Sequence, residues 1–369
     1  MRLALRLARR GFGRTSPNPM VGAVLVRHGV VIGQGWHRRA GQPHAEIEAL
    51  RDAQRRGLSD GGASDATLYV TLEPCSTHGR TPPCTEAILA AGIRRVVAAA
   101  HDPNPAHAGR GFAILQRGGI EVTTGLLAEE SAEMNEPFHH WIVHRTPLVT
   151  VKAGMSLDGK IATAGGESRW ITGEKSRALG MKLRAAADAI LVGVKTIVAD
   201  DPSLTVRLPG FAEKRWRRII LDPRARTPLT AKVVSDKHAA TTIVVATKAA
   251  PARRAAALGR RVRLLRAPTR GPDIDLRWLL KKLGQEEVAS LLVEGGGETN
   301  AAFLSAGLAA RVCFFYAPMA LGGRAAPKAV AGEGVARVGQ AAVLRQARWR
   351  QLGEDVVLTA RAPETARPH

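Results

Sequence analysis

Cysteine is scarce in this chain, with 3 residues among 369, and this scarcity excludes a fold stabilised by a disulfide framework. Few, unpaired thiols indicate a reducing compartment, where cysteines more often serve metals or catalysis. Long hydrophobic runs are also missing, and none approaches the roughly 20 apolar residues of a membrane-spanning helix. The N-terminal stretch MRLALRLARRGF has neither the apolar centre nor the cleavage site of a signal peptide. We therefore expect a cytoplasmic protein that makes no membrane contact.

Aromatic residues make up only 4% of the chain, and acidic residues are outnumbered by basic ones to give a net charge of +22. Such a charge can indicate nucleic-acid binding. Single-stranded nucleic acids, however, are bound on aromatic side chains that stack against the bases. The excess charge is mostly arginine scattered through alanine-rich stretches such as RRAAALGRRVRLLRA. We expect a phosphorylated small-molecule substrate and no nucleic-acid partner.

The length and the order of apolar patterns predict two different α/β domains, because one core rarely grows past about 250–300 residues. In the first half, strands are predicted over 20–26, 30–37, 66–74, 94–100 and 120–125, and helices over 2–10, 44–56, 85–93 and 111–119. In the second half, strands are predicted over 189–194, 217–222, 241–247, 290–297 and 311–318, and helices over 174–186, 276–284 and 298–307. We predict domains over residues 1–146 and 147–362 and a polar tail over 363–369.

Two of the three cysteines lie in one loop, TLEPCSTHGRTPPC (71–84), and the segment HAE (44–46) precedes it at a predicted helix start. A His-x-Glu followed by Pro-Cys and a further cysteine is the signature of zinc deaminases, in which the glutamate moves protons and is not a ligand. A hydrolytic zinc site has three protein ligands and a fourth position for water. This pattern predicts a zinc site containing His44 and Cys75, with Glu46 as the catalytic acid and base.

The third zinc ligand is open from spacing alone. The signature places a cysteine three residues after Cys75, where this chain has His78, and the next cysteine is Cys84. Both side chains can bind zinc. Cys84 is favoured because it precedes a predicted helix, whose dipole stabilises a thiolate. A closed structural zinc site would need a fourth protein ligand, and each of these residues taken alone is compatible with a helix cap or an inert buried thiol.

The second half contains candidates for binding a phosphorylated cofactor and substrate. Gly295, Gly296 and Gly297 stand between a predicted strand and helix, where backbone amides can approach a phosphate. Asn300 occupies the position of the third glycine in the ordinary dinucleotide fingerprint, so a plain strand–helix turn stays an alternative. Elsewhere in this half, two arginines, Arg184 and Arg207, can clamp a phosphate, and Trp170 offers a flat face. The alternatives are that Trp170 belongs to the core and that Arg184 is a surface residue of a helix.

Four motifs of the first half, TSPNPMVGAV, PHAE, TLEPCSTHGRTPPC and HDPNPAHAGRG, together resemble the deaminase half of the bifunctional deaminase/reductase family of riboflavin biosynthesis. Eight residues between the cysteines are typical of that family. The resemblance implies a cytidine-deaminase-like three-layer domain that binds Zn²⁺ and deaminates a diaminopyrimidine ribosyl phosphate. It implies His44, Cys75 and Cys84 as ligands and Glu46 as the proton carrier. It also suggests four substrate contacts, Asn18, His78, Arg80 and Asn104. The alternative for each is that the residue only forms a turn.

The segments SLDGKIA, ESRWIT, LRAAADAILVGVKTIVADDPSLTVR and VEGGG resemble the reductase half of the same family, whose fold is similar to dihydrofolate reductase. The resemblance, which spans residues 1–362, implies reduction of a ribosylamino group to a ribityl chain with NADPH. It implies cofactor contacts at Gly154, Trp170, Thr196, Asp200, Gly295, Gly296 and Gly297, and substrate contacts at Ser168, Arg184, Leu204, Arg207 and Glu294. We expect a homo-oligomer. The alternative function is a nucleic-acid deaminase with a basic RNA-binding second half.

Overall fold

The computed structural model describes residues 1–57, 63–78, 82–105, 107–211 and 216–363. The chain divides into two compact units, Met1–Arg145 and a second that begins at Thr146. Within the described residues, no helix combines the length and the apolar character needed to cross a bilayer. Arg80 and, apart from Pro363, the predicted polar tail lie outside the described residues.

The first unit is built on a five-stranded sheet with helices packed against it. Its strands are β1 (Gly22–Arg27), β2 (Val30–Trp36), β3 (Thr67–Val70), β4 (Arg95–Ala98) and β5 (Glu121–Thr124), in the spatial order β2-β1-β3-β4-β5. Its helices are α1 (Arg2–Ala8), α2 (Ala45–Arg55), α3 (Cys84–Ala90), α4 (Arg110–Arg117), α5 (Ala128–Met134) and α6 (Glu136–His144), with a short 3₁₀ turn at Arg9–Gly11. A buried aliphatic core that includes Leu25, Leu68, Ile88 and Leu115 joins the sheet to these helices.

Strand direction gathers several chain ends at one edge of this sheet. β3, β4 and β5 are parallel, β1 is antiparallel to β3, and β2 is antiparallel to β1. The amino end of β1 and the carboxyl ends of β2, β3 and β4 therefore meet at the same edge. The segments that leave these ends carry Asn18, His44, Cys75 and Asn104.

The second unit is built on a nine-stranded sheet in the order β10-β9-β8-β7-β13-β6-β14-β16-β15. The first seven strands of this order are parallel, and the last two form an antiparallel hairpin at one edge. The strands are β6 (Leu148–Ser156), β7 (Ala189–Gly193), β8 (Arg217–Leu221), β9 (Thr242–Ala246), β10 (Arg263–Arg266), β13 (Ser290–Val293), β14 (Arg311–Ala317), β15 (Arg345–Leu352) and β16 (Asp355–Arg361). Parallel strands are buried on both faces, which explains runs such as ILVG and TIVVA.

Helices connect the parallel strands as crossovers. They are α7 (Glu174–Ala186), α8 (Val194–Asp200), α9 (Lys232–Ser235), α10 (Ala252–Gly259), α11 (Leu276–Gln285) and α12 (Gly297–Ser305). Two-residue strands β11 (Thr269–Arg270) and β12 (Asp273–Ile274) form a small ribbon, and 3₁₀ turns lie at Ala239–Thr241 and Val338–Gln340. The carboxyl ends of the parallel strands share one edge of the sheet, which is where α/β proteins bind their ligands.

Candidate active sites

A cluster of one imidazole and two thiols lies at the edge of the first sheet where the carboxyl ends of β2, β3 and β4 meet. His44 is the extended residue that caps α2, Cys75 follows β3, and Cys84 is the first residue of α3. The Nδ1 atom of His44 is 3.4 Å from the Sγ atom of each cysteine, and the three ligand atoms lie within 4.8 Å of one another. Zinc bonds of about 2.3 Å to sulfur and 2.0 Å to nitrogen place tetrahedral S and N ligands about 3.5 Å apart. The donor set therefore fits one zinc ion.

The three side chains of this cluster also shift one another's pKa values. A hydrogen bond from the Cys84 thiol lowers the pKa of Cys75 well below its ordinary value. The same hydrogen bond, together with burial, raises the pKa of Cys84. A hydrogen bond to Cys75 raises the pKa of His44. Cysteine and histidine bind a metal ion in their deprotonated forms, so a bound zinc ion would displace the protons of this cluster.

Glu46 lies beside this cluster in the first turn of α2. Its side chain is buried, with 4% of the residue exposed, and burial raises the pKa of its carboxyl to about 7. The carboxyl also interacts by hydrogen bond with Cys84. A carboxyl that is close to half-protonated at neutral pH is suited to both accepting and donating a proton.

His78 lies apart from the three ligand atoms. Its side chain is 73% exposed, and its Nε2 atom is 3.3 Å from Oε1 of Glu86. The structure thus assembles Cys84, and not His78, with His44 and Cys75.

A histidine that sequence reasoning missed fixes the orientation of Asn18. His37 is buried at the end of β2, where Nδ1 lies 3.1 Å from the Pro43 carbonyl and Nε2 lies 3.2 Å from Nδ2 of Asn18. A carbonyl only accepts, so Nδ1 carries the proton and Nε2 accepts from the Asn18 amide. The Asn18 side-chain oxygen is left to accept from another group. No motif marks His37, because its role follows from tertiary contacts.

In the second unit, Glu294 follows β13 and is held by Arg184 of α7. Nε and Nη2 of Arg184 donate to the two carboxylate oxygens at 2.8 and 2.7 Å, and Nη1 donates to the carbonyl of Thr205 at 3.2 Å. Burial alone would raise the pKa of Glu294, but the charges of Arg184 and Lys152 outweigh it and hold the pKa at about 2. Lys152 of β6, which sequence reasoning did not select, thus belongs to this charged group.

The arrangement corrects two readings of Arg184. It is not a surface residue, since its side chain is only 15% exposed. Its guanidinium is occupied by Glu294, so it does not form an open phosphate clamp with Arg207. Arg207 itself is exposed. Leu204, in the same loop, is buried in a left-handed backbone conformation with φ of 50°.

Predicted cofactor and substrate residues lie on β6, in the loop that follows it and at the end of α8. Ser168 Oγ donates to Oδ1 of Asp200 at 3.1 Å. Trp170 is 66% exposed, with the Arg177 guanidinium 4.6 Å from its ring centroid, so the alternative that Trp170 belongs to the core is wrong. Gly154 lies on β6, where an added Cβ would come within 3.2 Å of the Thr172 methyl group.

The three consecutive glycines form a backbone cradle at the start of α12, in which Gly295 packs closely against Thr299 and Gly297 against the Lys328 carbonyl. Gly296 caps the helix without a side-chain partner, and within the described residues no acceptor is found for the amides of Gly295, Gly296 and Gly297. A Cβ added to Gly296 would lie 4.0 Å from Oγ1 of Thr196. Free amides at a helix N-terminus beside a hydroxyl suit a phosphate of a dinucleotide. The residues present therefore fit a cofactor such as NADPH.

Comparisons with known proteins match both halves of the chain to known families. The family model of the RibD C-terminal domain matches residues 147–358, and that of the cytidine and deoxycytidylate deaminase zinc-binding region matches residues 1–100. The chain belongs to the RibD family. Riboflavin biosynthesis protein RibD of Aquifex aeolicus is 42% identical over 358 residues, which cover 97% of this chain and 96% of the relative.

Solved structures extend the similarity to the fold of the entire chain. RibD of Acinetobacter baumannii is 37% identical with a TM-score of 0.86, covering 98% of this chain and 97% of that structure. A Thermotoga maritima protein is 33% identical with a TM-score of 0.82, covering 98% and 97%. It is described as a diaminohydroxyphosphoribosylaminopyrimidine deaminase/5-amino-6-(5-phosphoribosylamino)uracil reductase.

Membership of the RibD family confirms the predicted resemblance and fold class. The chain is an α/β protein with a cytidine-deaminase-like unit followed by a dihydrofolate-reductase-like unit. It is a bifunctional deaminase and reductase of riboflavin biosynthesis that uses zinc and NADPH. The alternative of an RNA-binding second half is wrong, because that half is a RibD reductase domain.

Proposed function

We propose that this enzyme hydrolytically deaminates 2,5-diamino-6-(5-phosphoribosylamino)pyrimidin-4-one and then reduces the ribosyl group of the product to ribityl phosphate. The observation that carries the proposal is the buried cluster of His44, Cys75 and Cys84 with Glu46 at its side. Three protein ligands leave one position for a reactant, as hydrolysis requires. The free amides of the glycine cradle support a nucleotide-dependent second reaction.

In the deamination, His44, Cys75 and Cys84 hold zinc and Glu46 moves protons. Zinc, when bound, makes a water molecule nucleophilic at neutral pH. Glu46 accepts the first proton of the water and passes it to a ring nitrogen of the pyrimidine. It then accepts the second proton, from the newly added hydroxyl, and passes it to the amino group, which leaves as ammonia. Asn18, whose amide nitrogen is fixed by His37, presents its oxygen to an amino group of the pyrimidine.

The remaining substrate contacts of the deaminase come from the two loops beside the zinc ligands. We assign Asn104, His78 and Arg80 to the substrate, since the two basic residue types suit its phosphate. The assignment of His78 is supported by its exposure. The assignment of Arg80 rests on the sequence motif.

In the reduction, the chain orients two phosphorylated molecules. The cradle Gly295–Gly297 and Thr196 hold the phosphates of NADPH, which supplies a hydride when bound. Gly154, Trp170 and Asp200 complete the cofactor contacts. The substrate contacts are Ser168, Arg184, Leu204, Arg207 and Glu294, with the exposed Arg207 on the phosphate. Lys152, whose positive charge acts on Glu294, is the candidate proton source for opening of the ribose ring.

The decisive experiment replaces Glu46 by glutamine. The variant should bind one zinc ion per chain, release ammonia about 10²–10⁴-fold more slowly, and reduce the deaminated intermediate at the wild-type rate. Metal content, ammonia release and NADPH oxidation measure the three outcomes. Glu48→Gln, the same change of a carboxylate to an amide on the same helix, is the matched control, because the ion pairs of Glu48 within the described residues are with Arg38 and Arg51. Full ammonia release by Glu46→Gln would rule out the proposed proton carrier.

We also propose that the enzyme works in the cytoplasm as a homo-oligomer with no nucleic-acid partner. All three cysteines are free, as suits a reducing compartment. The edge strand β15 is exposed along nearly its entire length and carries Trp349 with 61% exposure, which suits pairing with a second copy. Light scattering should give a multiple of the 39.3 kDa chain mass.

A further inference from the structure

Glu73, which lies two residues before Cys75, has its carboxylate completely buried. Its side chain has 0% exposure. Oε2 accepts from the backbone amides of Asp102 at 3.1 Å and Gly109 at 3.0 Å, and Oε1 accepts from that of Gly111 at 3.0 Å. A buried carboxylate is costly unless it is hydrogen-bonded. Here three amides from a single loop, residues 102–111, satisfy it.

That loop carries Asn104 and lies at the same edge of the sheet as the zinc ligands. It follows β4, and Glu73 follows the parallel neighbour β3. The two loops also touch elsewhere, because Oγ1 of Thr77 is 3.4 Å from Nε2 of His107. A Cβ added to Gly111 would lie 2.2 Å from the Pro74 carbonyl, so the backbones are in direct contact. Residue 106 lies outside the described residues, and nothing here depends on it.

The loop has internal bonds of its own, but they do not fix it to the zinc ligands. Oδ1 of Asp102 accepts from the amide of Asn104 at 2.8 Å, and the carbonyl of Asn104 accepts from the amide of His107 at 2.8 Å. These bonds set the shape of the segment around Asn104. Glu73 bonds both its beginning, at Asp102, and its end, at Gly109 and Gly111. Glu73 is therefore the side chain that bonds both ends of the shaped segment to the zinc-ligand loop, in addition to the contacts of Thr77 with His107 and of Pro74 with Gly111.

We propose that Glu73 is a positioning residue for deamination: it fixes the loop 102–111 over the zinc-ligand loop and thereby places Asn104 against the pyrimidine. This inference rests on the proposed deaminase function. Glu73 touches neither the metal nor the reacting atoms, and it acts through the loop. Its loss should therefore weaken substrate binding more than it affects the chemical step or zinc binding.

The test compares Glu73→Gln with Asp52→Asn in the zinc-loaded full-length chain. Glutamine keeps the shape of the side chain but replaces one carboxylate oxygen by an NH₂ group, which cannot accept a hydrogen bond from a backbone amide. Losing one such bond should raise KM for the diaminopyrimidine about tenfold, with a smaller change in kcat and one zinc ion retained. Glu73→Asp, which keeps both acceptor oxygens, should recover part of the affinity. Asp52→Asn removes another carboxylate of the unit, one that accepts from Gln34 far from the loop, and should leave KM unchanged.

Amide hydrogen exchange gives a readout that needs no substrate. Glu73→Gln should speed exchange at Asp102, Gly109 and Gly111 and leave the amides of α3 unchanged. If the wild type did not deaminate the substrate, the proposed function would fail. The exchange result would still test whether Glu73 holds the loop 102–111 in place. Unchanged KM together with loss of zinc and kcat would overturn the inference, because Glu73 would then only support the cysteine loop.

A second variant keeps the inference testable if Glu73→Gln does not fold. Gly109 has φ of 83°, and an added Cβ would meet no atom within 4 Å. Gly109→Ala therefore strains the loop without touching Glu73 or the cysteines. It should raise KM and speed exchange in the loop with zinc retained. Wild-type KM together with faster loop exchange would show that the loop does not place the substrate and would overturn the inference.

Discussion

At the scale of single residues, burial separates the two candidates for the third zinc ligand. Cys84 is fully buried, with its Sγ 3.4 Å from Nδ1 of His44. His78 is 73% exposed and pairs with Glu86. Moving His78 to the metal would break that pair and leave the Cys84 thiol buried beside a thiolate.

We therefore expect Cys84→Ser to lose zinc and deamination, and His78→Ala to keep the metal. The loss of affinity should exceed the roughly 10–100-fold that outer partners of a metal site contribute. Metal analysis after dialysis against a weak chelator measures both variants. The reverse pattern would assign the third ligand to His78.

The Arg184–Glu294 pair makes the second unit sensitive to acid. The pKa of Glu294 falls from its ordinary 4.5 to about 2 in the folded chain. Its contribution to stability is therefore complete above pH 4.5 and is lost as the pH falls toward 2, by about 3 kcal/mol. Urea unfolding of the wild type and of Glu294→Gln across this range should show the pH-dependent component only in the wild type. If the unfolding free energy changed with pH by the same slope in both proteins, the pair of Arg184 and Glu294 would not be the source of the acid sensitivity.

At the scale of elements, the sequence predicted those whose apolar pattern is complete. The hairpin of β1 and β2 and the helix 174–186 were predicted within two residues. α8, with the sequence VKTIVAD, was missed because its β-branched residues favour strands. β15, RQARWRQL, was missed because it is an exposed edge strand with no apolar alternation, defined only by pairing with β16.

The candidate sites divide in the same way. Motif spacing selected His44 and Cys75 and left Cys84 and His78 open as the third ligand; the predicted helix after Cys84 favoured Cys84, which the structure places beside the other two. Motif spacing gave no sign of His37, Glu73 or Lys152, because each acts through a partner that is distant in sequence. A motif records which residues share a short segment, whereas a positioning side chain is recognised only by what it touches.

Close packing of α2 on β2 controls the position of His44 and Glu46. A Cβ added to Gly35 would lie 2.2 Å from the Ala45 carbonyl in the first turn of the helix. Gly35→Ala must therefore displace that turn, and we expect a loss of about 1–3 kcal/mol in unfolding free energy together with weaker zinc binding. Gly339→Ala, where an added Cβ meets nothing within 4 Å, is the control. Denaturant unfolding and zinc titration measure the two effects. Unchanged zinc affinity would show that the first turn of the helix can move without displacing His44.

At the scale of the molecule, each unit has its own hydrophobic core and its own site. Among the described residues, the core of the first unit is built from residues before Arg145, and the large cores of the second from residues after Thr146. Damage to one site should therefore leave the other working.

This independence can be measured by mixing two single variants. Glu46→Gln should lack deamination and keep reduction, and Glu294→Gln should show the reverse. An equimolar mixture should convert the diaminopyrimidine to the ribityl product after a lag, because the intermediate can pass between molecules through solution. Liquid chromatography of the product follows the reaction, with each variant alone as the control. No product from the mixture would mean that the two reactions must take place within one molecule.

The order of strands in the second sheet has a consequence for how the chain folds during synthesis. The central strand β6 pairs with β13 through Leu148 and Ser290, and it pairs with β14 on its other side. Such distant pairings are slow to form, and this sheet is complete only once β16 has been made, at residue 361. The first sheet is complete once β5 has been made, at residue 124. A nascent chain can thus acquire its metal while half of its length is still unmade, so the deaminase matures before the reductase in every copy.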